Sequence, residues 1–193
     1  EFLKESKKMN GNPDIHGIIF MRPLPPQIKD EEIANLITPE KDIDCIGYAN
    51  MAKVFGGIDK GFAPCTAESV IEILKYYHVE LEGKNAVIIG RSLVIGRPVA
   101  MMLLEQNATV TICHSKTDNL QEIARGADIL VTALGKPCFI NSNFIKKDAI
   151  IVDVGMNEFN GKMVGDVDYD DVIPIAGKIT PVPGGVGPVT TSI

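Results

Sequence analysis

The chain has 193 residues, 45% of them hydrophobic, and a formal charge of −6. That length suits one sizeable core, or a complete domain of roughly 120 residues plus part of another, and the second reading is the better fit to the pattern below. The shortage of Lys and Arg argues against nucleic acid or an anionic membrane surface as partner, because phosphates there would go unneutralised, although a local cationic cluster can still hold a small anion.

The cysteines Cys45, Cys65, Cys113 and Cys138 are far apart and form no Cys-x-x-Cys pair, so no zinc site or redox motif is expected, and no metal. No run approaches the roughly 18 apolar residues of a membrane span, and the first ten residues lack a signal peptide's apolar segment; a cytoplasmic protein is expected. Both ends read as cut. Glu1 opens inside a charged helical pattern, and Thr191-Ser192-Ile193 directly follow a glycine-rich loop.

A helical start breaks at Asn10-Gly11-Asn12-Pro13, and the apolar run Ile15 to Met21 predicts a buried strand ending in Arg22-Pro23-Leu24-Pro25-Pro26. His16 beside it reads as a hydrogen-bonded structural histidine. Asp30 is the expected cap of a helix with Ile33, Leu36 and Ile37 at helical spacing, ended by Pro39. Residues 40 to 63 read as irregular, and a loop that long more often carries function than not. Thr66 is the expected cap of a helix through about Tyr77, with Val70, Ile71, Ile73, Leu74 and Tyr77 as its apolar stripe.

Beyond this point the pattern changes to strand-like runs, Ala86 to Ile89, Ala108 to Cys113, Ile129 to Leu134 and Ala149 to Val154, the first three each followed by a helical or helix-initiating segment. Continuous rather than alternating hydrophobicity implies a parallel sheet covered on both faces. Lys178 to Val182 is a further strand candidate. The predicted class is α/β: a Rossmann-type parallel-sheet domain plus a partial α/β domain, with the boundary near Pro64.

The segment from Ala86 to Pro98 follows a strand and opens a helix, the place where this fold receives a pyrophosphate. Gly90 suits the tight turn. Ser92 stands where the usual second glycine would be, and Gly96 comes one residue late, so the cofactor is expected slightly further out. The next strand ends Ile112-Cys113-His114-Ser115-Lys116 with no carboxylate to accept ribose hydroxyls. Arg91, Ser115 and either His114 or Lys116 supply donors and positive charge instead, which favours NADP over NAD.

The blocks Gly83-Lys84-x-Ala86-Val-Ile-Ile-Gly90-Arg91-Ser92, Cys113-His114-Ser115-x-Thr117, Ile151-Val-Asp153-Val-Gly155-x-Asn157, Gly165-Asp166-Val167 and Ile179-Thr-Pro-Val-Pro-Gly-Gly-Val-Gly-Pro188 resemble the methylenetetrahydrofolate dehydrogenase/cyclohydrolase family. Upstream, Asp14-x-His16-Gly17, Pro39-Glu-Lys41-Asp42-Ile-Asp44, Asn50 and Pro64-Cys65-Thr66 fit it too. The resemblance implies a bifunctional enzyme of one-carbon metabolism, serving purine biosynthesis. It would oxidise 5,10-methylenetetrahydrofolate with NADP and hydrolyse the methenyl product to 10-formyltetrahydrofolate.

Carried onto this sequence, the resemblance makes Asp44 the catalytic-site residue that binds the pterin. It makes Pro183, Gly184, Gly185 and Val186 the substrate-binding loop of the folate cleft, and Gly90, Arg91, Ser92, His114, Ser115 and Met156 the cofactor-binding set. Residues 1–63 would belong to the folate-binding catalytic domain, 64–181 to the NADP-binding domain, and 182–193 to the cleft loop and the start of a return helix. A homodimer is implied.

Departures fall at Met21, where the family has a glutamine that positions the catalytic lysine, and at Cys45 and Ala52, where glycines are common. The Tyr-x-x-x-Lys motif that supplies the family's general base is expected upstream of Glu1. Hydride transfer needs few acids or bases, because the nitrogens flanking the methylene carbon stabilise the developing cation. Hydrolysis needs a base, and Lys41 or Lys53 are the substitutes these residues offer. Asp42 and Asp44 also admit a reading as a surface turn or metal ligands. A dehydrogenase of another substrate class, with Lys136 as its weak catalytic candidate, and a catalytically inactive dinucleotide sensor remain alternatives.

Overall fold

The computed structural model describes residues 1–21, 24–58 and 61–193. Arg22 and Pro23 of the predicted strand end lie outside that description. The chain divides into two compact units, Glu1–Cys65 and Thr66–Ile193.

The first unit contains helices α1 (Phe2–Gly11), α2 (Asp30–Ala34) and α3 (Tyr48–Phe55), and a small core of Ile18, Phe20, Ile33, Ile37 and Ile46 to which α2 contributes Ile33 and against which Leu3 of α1 packs. Helix α1 continues through Asn10 and stops before Pro13, where Asn12 is already extended, as a residue preceding proline must be. The Asn10 side chain reaches sideways, donating to the Leu36 carbonyl at 3.2 Å and accepting the Thr38 N–H at 2.9 Å.

Four expectations for this unit need correction. Ile15 to Met21 forms no strand; its one β contact is the isolated bridge of Ile18 to Asp42. Ile18 and Phe20 point inward while Ile19 and Met21 are exposed, so the run has strand-like alternation without a ladder, which requires a partner of matching length. His16 is exposed rather than structural. Asp30 is the first residue of α2, not its cap: Lys29 precedes the helix, its N–H donated to the Glu32 carboxylate at 3.3 Å, and Leu36 and Ile37 lie past the helix end. The stretch 40–63 contains α3, which buries only Asn50 and so lacks the apolar stripe that would reveal it.

Helix α4 (Cys65–Tyr76) begins at the boundary of the two units and carries Thr66 as its second residue rather than its cap, burying Ala67, Ser69, Val70, Ile71 and Leu74. Strand β1 (Asn85–Ile89) leads into α5 (Gly96–Glu105), β2 (Thr109–Cys113) into α6 (Leu120–Arg125), and β3 (Ile129–Thr132) into a 3-10 turn at Ser142–Phe144. β4 (Ile150–Asp153) follows, then a hairpin of β5 (Asn157–Phe159) and β6 (Lys162–Val164), then α7 (Tyr169–Val172), β7 (Lys178–Ile179) and α8 (Val186–Thr190). The five-stranded sheet has the order β2-β1-β3-β4-β7, and every pairing in it is parallel.

Alternate residues of β1 enter opposite cores. Ala86 and Ile88 join α4 and α5, whereas Val87 and Ile89 pack with α6 and the segment through Ile140 and Ile145. Burial on both faces explains the continuous apolar runs, each such side chain contributing roughly 1.5–3 kcal/mol. β7 is shorter than Lys178 to Val182 because Pro181 and Pro183 have no N–H for a ladder. The hairpin turns on Asn160 and Gly161, both at positive φ, 51° and 72°.

Candidate functional site

The strand order reverses between β1 and β3, and the carboxyl ends of those strands form the mouth of the second unit. Gly90 leaves β1 at φ 142°, with its N–H on the Cys113 carbonyl at 2.9 Å. A Cβ there would come within 2.6 Å of the Ala133 oxygen, so only glycine lets β1 and β3 end this close together. Gly96 is equally constrained: a Cβ would collide with the Gly90 carbonyl where the loop folds back to start α5.

Between these glycines, Ser92 organises the turn. Its Oγ accepts the Ile95 N–H at 3.0 Å and its carbonyl accepts the Arg97 N–H at 3.1 Å. The serine in place of the second glycine therefore satisfies amides of the loop itself, which a bare glycine could not.

A cavity of about 310 Å³ opens at this mouth. Gly90 and Arg91 form its floor, His114, Ser115 and Thr117 one wall, and Ala133, Lys136 and Phe139 the other. The walls follow from topology, since the ends of β2 and β3 flank the end of β1. Of the predicted cofactor residues, Gly90, Arg91, His114 and Ser115 are brought together here, while Ser92, Lys116 and Met156 are outside the lining. The His114 Nδ1 accepts the Lys116 N–H at 3.1 Å, so a neutral imidazole carries its proton on Nε2 and is a donor there. Among the described residues lining the cavity none has a carboxylate, so its chemistry suits an anion and a glycine-floored approach suits a flat nucleotide.

Sequence reasoning did not place Lys136 at this site, nor the carboxylates that shape the two loops behind it. Asp166 is fully buried and accepts three consecutive amides, Leu134 at 2.5 Å, Gly135 at 3.3 Å and Lys136 at 2.8 Å, with the Asn157 side-chain amide at 3.0 Å. Asp153 accepts the Thr132 hydroxyl and the amides of Gly155, Asp166 and Val167, all within 3.1 Å. Burial pushes the Asp153 carboxyl above the ordinary range, against these bonds, which favour the charged form.

Farther along the unit, the Val182-Pro183 bond is cis, Gly184 sits at φ 104° and Val186 begins α8. The Met156 methyl lies 3.6 Å from where a Cβ on Gly187 would stand, so Met156 belongs beside this loop rather than in the cavity lining. A second cavity, about 430 Å³, is bounded by Leu74, Ile151, Ile179 and Gly185; its walls are mainly aliphatic.

In the first unit, Asp42 is no surface turn: it is buried and accepts the Ile46 and Gly47 amides at 2.8 and 2.9 Å and the Asn50 side chain at 3.2 Å. Asp44, two residues on, is half-buried and accepts the Cys65 N–H at 3.2 Å. No group of metal-ligating side chains forms among the described residues. Lys41 is a clasp rather than a base, its Nζ donating to the Asn10 and Asn12 carbonyls at 2.7 and 2.6 Å, and the Lys53 Nζ donates to Asn50 Oδ1 at 3.1 Å.

A parallel sheet whose strand order reverses beside a glycine turn, with cationic donors at its carboxyl edge, defines a Rossmann-type dinucleotide-binding domain. Residues 64–193 match the tetrahydrofolate dehydrogenase/cyclohydrolase NAD(P)-binding domain, and residues 1–44 match the catalytic domain of the same enzymes. The chain belongs to the tetrahydrofolate dehydrogenase/cyclohydrolase family.

Among its relatives, bifunctional protein FolD 1 of Desulfitobacterium hafniense is 52% identical over the whole chain, which spans 69% of that protein. The bifunctional FolD structure from Campylobacter jejuni superposes with a TM-score of 0.95 at 43% identity, covering 97% of this chain and 67% of that one. A Trypanosoma brucei enzyme complexed with NADP cofactor and inhibitor gives 0.92 at 38%, covering 98% and 67%.

Proposed function

We infer that this chain carries NADP-dependent 5,10-methylenetetrahydrofolate dehydrogenase activity together with 5,10-methenyltetrahydrofolate cyclohydrolase activity. One observation supports this beyond kinship: the carboxylate-free cavity at the β1 end, which gathers Arg91, His114 and Ser115 over a glycine floor. NADP, when bound, takes up the hydride from the methylene carbon.

The residues of this chain bind and align. Gly90 and Gly96 let the turn close against the end of β3 and the start of α5, which shapes the mouth for the dinucleotide, and Arg91, Ser115 and the His114 Nε2–H are the proposed partners of its 2′-phosphate. Ser92 fixes the turn, and Met156 is the proposed contact on the nicotinamide side. Asp44 is the proposed pterin partner, and Pro183, Gly184, Gly185 and Val186 the proposed substrate-side loop. Hydride transfer asks for no proton transfer from these residues, only for alignment and exclusion of water. Hydrolysis asks for a base, and neither Lys41 nor Lys53 is proposed for it, since each Nζ is already committed to an oxygen. We further propose a homodimer acting in the cytoplasm, with 10-formyltetrahydrofolate supplied to purine synthesis.

The test is direct. The full-length protein mixed with NADP and methylenetetrahydrofolate should develop NADPH absorbance, and Asp44→Ala should raise the folate KM at least tenfold while NADP affinity holds. Absence of NADPH formation with NADP still bound would replace this reading by that of a nucleotide sensor, and equal loss of both ligands would remove Asp44 from the pterin site.

A further inference from the structure

We propose that Lys136 is a specificity-determining residue for the phosphorylated cofactor, supplying positive charge to the 2′-phosphate from the wall opposite Ser115. The proposal deepens the NADP reading above and rests on it.

Three observations carry it. First, Lys136 and Arg91 line one cavity from different loops, after β3 and after β1, although they are far apart in the sequence. Second, the backbone of Lys136 is fixed. Its N–H and those of the two preceding residues are held by the buried Asp166 carboxylate, and Gly135 takes φ 66° to bring them round. Third, the Lys136 Nζ rests 4.9 Å from the centroid of the Phe139 ring, itself part of the cavity wall. A cation parked on an aromatic face is held near the cavity and only partly desolvated, so it can turn to a phosphate at little cost.

The competing reading is that Lys136 serves only as the Phe139 partner and is otherwise solvated. The two differ in what they predict for adenosine phosphates that differ by one group. A 2′-phosphate gains from an added cation, whereas a 2′-hydroxyl does not.

The experiment uses the full-length protein and its Lys136→Met and Lys136→Arg variants. Binding of 2′,5′-ADP and of 5′-AMP is measured by calorimetry at low and high salt, alongside KM for NADP and NAD. The expected result for Lys136→Met is roughly fivefold to tenfold weaker binding of 2′,5′-ADP and a similar rise in the NADP KM, with 5′-AMP and NAD within twofold. The salt dependence of 2′,5′-ADP binding should flatten, and Lys136→Arg should keep most of the preference. Equal weakening of both nucleotides would mean that Lys136 acts through loop shape, and unchanged affinities would mean that it is solvated; either overturns the proposal. If the unsubstituted protein binds 2′,5′-ADP no better than 5′-AMP, the NADP reading falls first and this proposal with it.

Discussion

The N–H of Asp166 donates to the Asp153 carboxylate at 3.1 Å, so the acid that closes the end of β4 also sets the acid that holds the loop after β3. Both carboxylates are buried, at 3% and 0% exposure, and neither faces a salt-bridge partner among the described residues. Their oxygens are met by N–H and O–H donors. This network lies directly behind the wall that carries Lys136.

Removing Asp166 should therefore be costly. Asp166→Ala would leave the Leu134, Gly135 and Lys136 amides without their acceptor, each unsatisfied group costing about 1–3 kcal/mol before relaxation or entering water. A loss of about 3–5 kcal/mol is expected in urea titration, with Asp166→Asn intermediate because one oxygen survives. A loss below about 1 kcal/mol for the alanine variant would show that the loop satisfies itself.

Gly90→Ala tests the mouth of the site. The new Cβ meets the Ala133 oxygen at 2.6 Å and the backbone is at φ 142°, so β1 and β3 must part. The expected cost is about 2–4 kcal/mol, with NADP affinity reduced at least tenfold in the surviving folded fraction. Normal dinucleotide affinity in that variant, measured by fluorescence titration, would show that the turn has slack.

Arg91→Ala should penalise NADP more than NAD, since Arg91 is a cation on the floor of a cavity whose described lining has no acid. A tenfold or larger drop in the NADP-to-NAD ratio of kcat/KM is expected. An unchanged ratio would leave cofactor choice to some other feature.

The sheet was legible because strands buried on both faces must be apolar throughout. Ile15 to Met21 looked the same in one dimension yet forms no ladder, since periodicity reports burial and says nothing about a partner. The β5–β6 hairpin did carry a readable signal: Asn160-Gly161 is the pair that accepts positive φ at both turn positions. Helix α3 carried little, since Tyr48 and Phe55 are 45% and 77% exposed in the first unit and the buried residue is the polar Asn50. At the site, Gly90, Arg91 and Ser115 were readable from the order of strand, turn and helix. Lys136 was not, because the sheet order β2-β1-β3, rather than sequence proximity, places its loop opposite Ser115.

Cys45 makes a separate test possible. It is 2% exposed at φ 54°, a left-handed conformation that glycine adopts without a Cβ penalty, and burial pushes its thiol up to about 12. It should resist alkylation at neutral pH until the chain is denatured. Cys45→Gly should change stability by less than about 1 kcal/mol, since relief of the left-handed backbone offsets the lost side-chain contacts. Rapid labelling of Cys45 in the native protein, resolved by peptide mapping, would contradict the packing described.

The last prediction concerns pH and follows from Asp153. Burial raises its folded-state carboxyl above the unfolded value of about 3.9, so the folded protein holds that proton more tightly than the unfolded chain does. The resulting stabilisation is complete below the unfolded pKa, is lost as pH rises through the folded pKa, and is absent at higher pH. This opposes the usual trend from carboxylates such as Asp128, whose bonds to Lys146 and the Asn85 amide hold it low and whose contribution disappears on acidification. Asp153→Asn removes only the first effect. The variant should be less stable overall, because the amide offers fewer acceptors to the Thr132 hydroxyl and to the Gly155, Asp166 and Val167 amides. Its deficit should shrink as pH rises from the acid end, since over that window the unsubstituted protein alone loses the Asp153 proton. Urea titrations of both proteins across that range decide it: a deficit that grows with pH, or stays constant, means that hydrogen bonding outweighs desolvation at Asp153.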